Sequence, residues 1–136
     1  MKRLFILLAL GLATVTMSAQ DLRNSSNAYV GKIESDGTVR NGSNSCIGKI
    51  DRDGTIRNSS NSSIGKIDSD GTIRNQSNSS IGKVESDGTV RKNGSSVGKI
   101  DSDGTVRNGS NSTIGYAKGV PVRYAAVFFF FDFFKR

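Results

Sequence analysis

Ile47-Gly48-Lys49-Ile50-Asp51-Arg52-Asp53-Gly54-Thr55-Ile56-Arg57-Asn58 reads as a β-hairpin, and Ser59-Ser60-Asn61-Ser62-Ser63 completes a seventeen-residue unit. Copies of the unit begin at Val30, Ile47, Ile64, Ile81 and Val97, so five full copies cover residues 30–113. A unit this small cannot bury its own apolar face, so it is built to stack beside others of its kind. Only three apolar positions recur in each copy, as in Ile47, Ile50 and Ile56, which is little for an isolated core.

Two registers compete for the hairpin. A two-residue loop sets Ile50 opposite Arg57, whereas a three-residue loop sets Ile50 opposite Ile56, Lys49 opposite Arg57 and Asp51 opposite Thr55. Side chains alternate across a strand, so a one-residue slip throws an isoleucine to the wrong face. The three-residue loop is therefore expected, with Gly54 left-handed in a bulged turn that tolerates no Cβ without strain. Gly37, Gly71, Gly88 and Gly104 occupy the same place in the other copies. The polar half, as in Asn58 to Ser63, carries no apolar residue and reads as a connecting loop. The fourth copy is one residue short, and the gap falls in that half, at Lys92-Asn93-Gly94-Ser95-Ser96.

Outside the copies lie two other kinds of segment. Lys2 and Arg3, the apolar run Leu4 to Ala13 and the small pair Ser18-Ala19 form the pattern of an export signal at 1–19, cleaved just before Gln20 or Asp21. The apolar run is shorter than the roughly 18–20 residues of a spanning helix. Location is then periplasmic or extracellular. Residues 20–120 read as the repeat domain and 121–136 as an aromatic segment that packs on it. That segment opens with Pro121 and holds Phe128, Phe129, Phe130, Phe131, Phe133 and Phe134. It is apolar almost all round, so it is either buried or in lipid. A helix of this length falls short of a bilayer core of about 30 Å, which favours a plug across the mouth of the array over membrane contact through 124–134.

Several function classes lose support. The sequence has no His, the commonest general base and metal ligand, and no serine lies in a nucleophile elbow. No catalytic, cofactor-binding or metal residue is singled out, and no cofactor is expected. Asp51-Arg52-Asp53-Gly54 resembles the middle of an EF-hand loop, but Lys49 and Ser60 stand where the first and closing ligands belong. The aspartates read instead as turn stabilisers. Formal charge is +7, of which Lys2 and Arg3 leave with the leader, and the remaining cations are scattered among acids. A nucleic-acid surface needs a basic stripe with interleaved aromatics, which the copies lack. Cys46 is the single cysteine and occupies a slot held by Ser63 and Ser80.

The repeated I-G-K-I-D-S-D-G-T-I-R-N unit, its five copies, the leader and the G-V-P-V-R-Y-A-A-V-F-F-F-F ending together resemble the five-fold β-flower proteins. The resemblance covers essentially the whole chain after the leader. It implies small exported proteins with β-hairpin petals about an axis, and it carries over no catalytic or ligand residue. The expected fold is thus an all-β repeat protein of five 17-residue hairpins around an axis, with a C-terminal apolar helix or plug. Leu22 to Asn27 matches the second half of a unit and Ile114-Gly115 matches the opening of one. The ends therefore either pair as a split hairpin that closes the ring or serve as degenerate caps. The expected function is a non-enzymatic structural or binding module of the cell envelope whose partner is unknown, with glycan or an envelope protein as candidates. A secreted carboxylate-dependent glycan hydrolase is the alternative.

Overall fold

A computed structural model describes residues 20–134, and the expected leader lies outside the described residues. The chain forms β1 (Gln20–Asn24), β2 (Tyr29–Ile33), β3 (Thr38–Asn41), β4 (Cys46–Ile50), β5 (Thr55–Asn58), β6 (Ser63–Ile67), β7 (Thr72–Asn75), β8 (Ser80–Val84), β9 (Thr89–Lys92), β10 (Ser95–Ile100), β11 (Thr105–Asn108), β12 (Thr113–Tyr116) and α1 (Val122–Phe130). Each strand pairs antiparallel with its sequence neighbours, and β1 pairs with β12, which closes the sheet into a barrel.

Within the second copy Ile50 pairs with Ile56, Lys49 with Arg57 and Gly48 with Asn58. This is the register of the three-residue loop. The Asp51 N–H donates to the Thr55 carbonyl at 2.8 Å and the Gly54 N–H to the Asp51 carbonyl at 2.9 Å. Gly54 has φ +96°, and its own carbonyl accepts from the Ile67 N–H of the next hairpin at 2.8 Å. The turn is therefore both left-handed and stitched to its neighbour.

The polar half of the unit is a second hairpin turn rather than a loose connector. The Asn58 N–H donates to the Ser62 carbonyl and the Asn61 N–H to the Asn58 carbonyl, both at 2.9 Å. The Asn58 side chain accepts from the Ser60 and Ser62 N–H groups at 3.0 Å each. Asn61 takes φ +69°, so an asparagine does here what glycine does at the other turn. In the fourth copy the shortened loop is Asn93-Gly94, with φ of +53° and +88°, the two left-handed residues of a tight two-residue hairpin.

Between neighbouring units the ladder carries a bulge. Ile56 pairs with Gly65 and Arg57 with Ser63, leaving Ile64 as the extra residue. Consequently Val30, Ile47, Ile64, Ile81, Val97 and Ile114 are only partly buried, and the first of the three apolar positions of each copy is not a core position. The core proper holds Ile33, Val39, Ile50, Ile56, Ile67, Ile73, Val84, Val90, Ile100 and Val106.

The closing pair answers the question left open by the two ends. Arg23 faces Tyr116 and Asn24 faces Gly115, the same relation as Arg57 to Lys49 and Asn58 to Gly48. Leu22 takes the place of Ile56 and is fully buried. The barrel thus has a sixth hairpin, split between the start and the end of the described chain, beside the five contiguous ones.

A barrel of about eight strands is filled by its own side chains, and twelve leave room for more. The C-terminal segment takes that room. It runs through the barrel interior rather than lying across its mouth. Arg123 Nη1 donates to the Asp68 carbonyl at the end where the Asp-Gly turns lie, at 3.4 Å. Ala125, Ala126 and Val127 have no exposure at all, and small side chains there let the helix sit among the isoleucines. Pro121 is the N-cap, one residue before the first helical position. The helix also stops earlier than the apolar run, since Phe131 is extended at φ −120° and ψ 149°.

Candidate functional site

Six glycines face the barrel interior at the level where the helix ends, and each is met by one phenylalanine. Gly31 meets Phe128, Gly115 meets Phe129, Gly98 meets Phe130, Gly82 meets Phe131, Gly65 meets Phe133 and Gly48 meets Phe134. Around the sheet the glycine strands follow one another as β2, β12, β10, β8, β6 and β4. The phenylalanines step past them in chain order, so the tail winds once around the inside. Phe128 and Phe129 meet edge to face at 5.3 Å between centroids, and Lys92 Nζ lies 5.5 Å from the Phe131 ring. The rings occupy the interior at this level, and the spaces open to another molecule lie at the rim beside Cys46, Ile47, Asp132 and Phe133, about 480 Å³, and on the outer wall.

The outer wall is polar and periodic. Lys49 and Arg57 face outward as a pair, and Lys66-Arg74, Lys83-Arg91, Lys99-Arg107 and Lys32-Arg40 repeat the arrangement. The arginine does not face its lysine in isolation. Arg57 Nε donates to Asp51 Oδ2 at 2.7 Å and Nη1 to the Asn61 carbonyl at 3.1 Å, joining the two turns of its hairpin. Arg40 with Glu34, Arg74 with Asp68, Arg91 with Glu85 and Arg107 with Asp101 form the same ion pair. The second aspartate of each turn is also engaged. Asp53 Oδ1 accepts from the Thr55 N–H at 3.0 Å, and that bond is the first cause of its lowered pKa. Asp36, Asp70, Asp87 and Asp103 are lowered in the same way. Carboxylates held ionised make poor general acids.

The turn glycines Gly37, Gly71, Gly88 and Gly104 have φ between +92° and +95° and lie with Gly54 along one rim, away from the phenylalanines. A Cβ on Gly71 would stand against the backbone of Val84 in the next hairpin. No group of three or more His, Cys, Asp or Glu residues placed to hold a metal occurs among the described residues. Cys46 is exposed and unpaired in a disulfide sense. No helix among the described residues is long and apolar enough to cross a membrane.

One sector breaks the pattern. In the split hairpin Tyr116 stands in the lysine slot and Lys118 in the slot of the arginine-binding acid. Arg23 therefore turns to Asp21, at 3.2 Å and with both side chains more exposed than in the other pairs except for the Arg91 side chain. A groove of about 820 Å³ opens there, lined among others by Asp21, Arg23, Asp103, Thr105, Tyr116 and Lys118. At the seam between the second and third copies the corresponding space is divided, with about 140 Å³ by Thr55 and Asn75 and about 390 Å³ by Asp53 and Asp68.

The family model for the 5-fold beta-flower protein matches residues 19–134. This chain belongs to that family. The β-flower match spans the strands, the split hairpin and the aromatic tail together, so the tail belongs to the fold and is not an appendage. No curated protein and no solved structure matches the chain.

Two parts of this arrangement escape sequence reading. The inward glycine that follows the first apolar residue of each copy, and follows Ile114 as well, looks like ordinary strand permissiveness until the tail is placed against it. One signal was present, since the chain holds six such glycines and six phenylalanines in the tail. The odd sector was also visible in principle, because aligning Ile114 to Lys118 on the repeat puts Tyr and Lys where Lys and Asp recur.

Proposed function

We propose that this β-flower protein is an exported, non-enzymatic binding module of the cell envelope, which uses its outer wall to engage a repetitive partner, a glycan or an envelope protein. The observation that carries the reading is the filled interior. A barrel whose lumen is occupied by its own phenylalanines offers partners only its outside. That outside repeats the same Lys, Arg, Thr and Asp groups from sector to sector, which suits many weak contacts that add up by avidity. Burial of Ala125 to Phe128 inside the barrel supports leaving membrane contact through 124–134 aside. The arginine–carboxylate pairs likewise weigh against a nucleic-acid surface, since their cations are already spoken for.

The test is a glycan array and an envelope-extract pull-down run beside a turnover assay on the retained material. Retention without turnover is the expected result. Turnover that disappears when one acid pair is replaced, for example Asp51→Asn with Asp53→Asn, would establish the hydrolase alternative instead. Cell fractionation with N-terminal sequencing tests export: a mature chain beginning at Gln20 or Asp21 outside the cytoplasm is expected.

A further inference from the structure

The structure assigns a second kind of site, resting on the proposed binding function: we propose that the groove of the split hairpin binds an acidic saccharide, a uronic-acid residue within a longer glycan. Tyr116 lines the groove and points outward because its neighbour Gly115 points into the barrel. An aromatic face beside polar groups is the usual seat for a sugar ring, because the ring's C–H face packs on it while its edge makes hydrogen bonds. Asp21 and Asp103 are placed to accept from hydroxyls on the ring, and Thr105 can donate or accept.

The charge pattern selects the sugar class. Lys118 has no ion pair or hydrogen bond among the described residues, unlike the acid that holds this slot in the other copies. Arg23 has lost the acid that ties its counterparts through Nε and is held by Nη1 and Nη2 only. Asp103 differs from its equivalents too. Asp36, Asp53, Asp70 and Asp87 each feel a lysine of the following unit, whereas the charge near Asp103 is its own hairpin's Arg107. The groove therefore presents one unneutralised cation and one loosened one beside two carboxylates. A phosphate-rich ligand would meet both carboxylates, while a single sugar carboxylate can reach Lys118 and leave its hydroxyls for Asp21 and Asp103.

The repeat itself supplies a clean variant. Tyr116→Lys with Lys118→Asp restores the residues found at Lys66 and Asp68, so the fold is expected to keep its melting temperature. Trigalacturonate and its methyl ester, which keeps the rings and removes the charge, are titrated into the purified protein by calorimetry and by NMR of the tyrosine rings. The expected result is binding of the acid with a shift of the Tyr116 resonances, at least tenfold weaker binding of the ester, and at least tenfold loss in the restored variant. Lys118→Ala alone should narrow the difference between acid and ester. Equal binding of acid and ester, or full binding by the restored variant, would overturn the seam site. The repeat-wall reading is judged apart from this, by whether replacing Lys49 and Lys66 with Ser abolishes retention on the array or in the pull-down. Absence of any trigalacturonate binding to the unaltered protein at millimolar concentration also overturns the seam site and leaves that second measurement standing.

Discussion

Gly98 and Phe130 occupy adjoining halves of one space. A Cβ built on Gly98 would stand 2.5 Å from Phe130 Cε1, and it would also press on the Arg107 carbonyl across the strand pair. Gly48, Gly65, Gly82 and Gly115 stand as close to their rings, and a Cβ on Gly31 would lie 3.1 Å from Phe128, so the barrel wall and the tail are cut to one another. The glycine gives up its own side-chain volume at that level, and the tail returns it as a ring. This couples two features of the sequence that lie far apart: a small residue in every repeat and a run of phenylalanines at the end.

Gly98→Ala should therefore be destabilising by overpacking, about 1–3 kcal/mol. Phe130→Leu in the same chain should recover only part of the loss, since the Arg107 carbonyl remains in the way. Phe128→Ala should cost more, about 3–5 kcal/mol for a ring buried to this degree, because Phe128 is 1% exposed. Chemical denaturation of the three variants checks both statements.

At the other rim, Gly71→Ala should lower stability by at least roughly 1–2 kcal/mol, because the position is left-handed and a Cβ there meets the Val84 backbone. Ser77→Ala is the matched control and should melt with the unaltered protein. Gly109→Ala is a second control, since its nearest heavy atoms lie 3.7–3.8 Å from a built Cβ and its φ is not positive.

The asparagine turns offer a contrast within one loop. Asn58→Ala removes the acceptor of two backbone N–H groups and should cost about 1 kcal/mol or more. Asn61→Gly should be neutral, since glycine takes φ +69° without strain. Thermal melts of the two single variants separate the side-chain contribution from the backbone one.

Acid should weaken the fold through the rim aspartates. The Thr55 N–H holds the Asp53 carboxyl below its ordinary 3.8, and the equivalents at Asp36, Asp70, Asp87 and Asp103 are lowered likewise. A carboxyl lowered in the folded state stabilises at pH values above its unfolded pKa, and that contribution disappears as pH falls through the folded value. The melting temperature should thus drop between about pH 4 and about pH 2. Asp53→Asn keeps the acceptor oxygen and should make the drop shallower. An Asp53→Asn profile parallel to that of the unaltered protein would show that this rim does not carry the acid response.

Much of the fold was legible because the repeat states its own register: only one loop length puts Ile50 opposite Ile56. What the sequence concealed has physical causes. Asn58 to Ser63 looked like a connector because a turn made from asparagine side chains needs no apolar residue. Ile47 looked like core because apolarity does not reveal a bulge, and the bulge moves it partly into solvent. The tail was legible as a buried plug but not as a helix threaded through the ring, because nothing local to residues 122–134 records that six glycines await its rings. The odd sector at Tyr116 and Lys118 was hidden for a different reason, since its halves lie at opposite ends of the repeat region and meet only when β1 pairs with β12.

The most direct test of the account is to end the chain at Gly119 and follow unfolding by far- and near-ultraviolet circular dichroism. Without Val120 to Phe134 the barrel loses the helix and all six rings that fill it, and the inward isoleucines are left facing a void. The account predicts no cooperative melt and an aggregated or unfolded chain, with β structure regained when the segment is restored. A truncated chain that is monomeric, soluble and melts cooperatively within a few degrees of the full protein would contradict it.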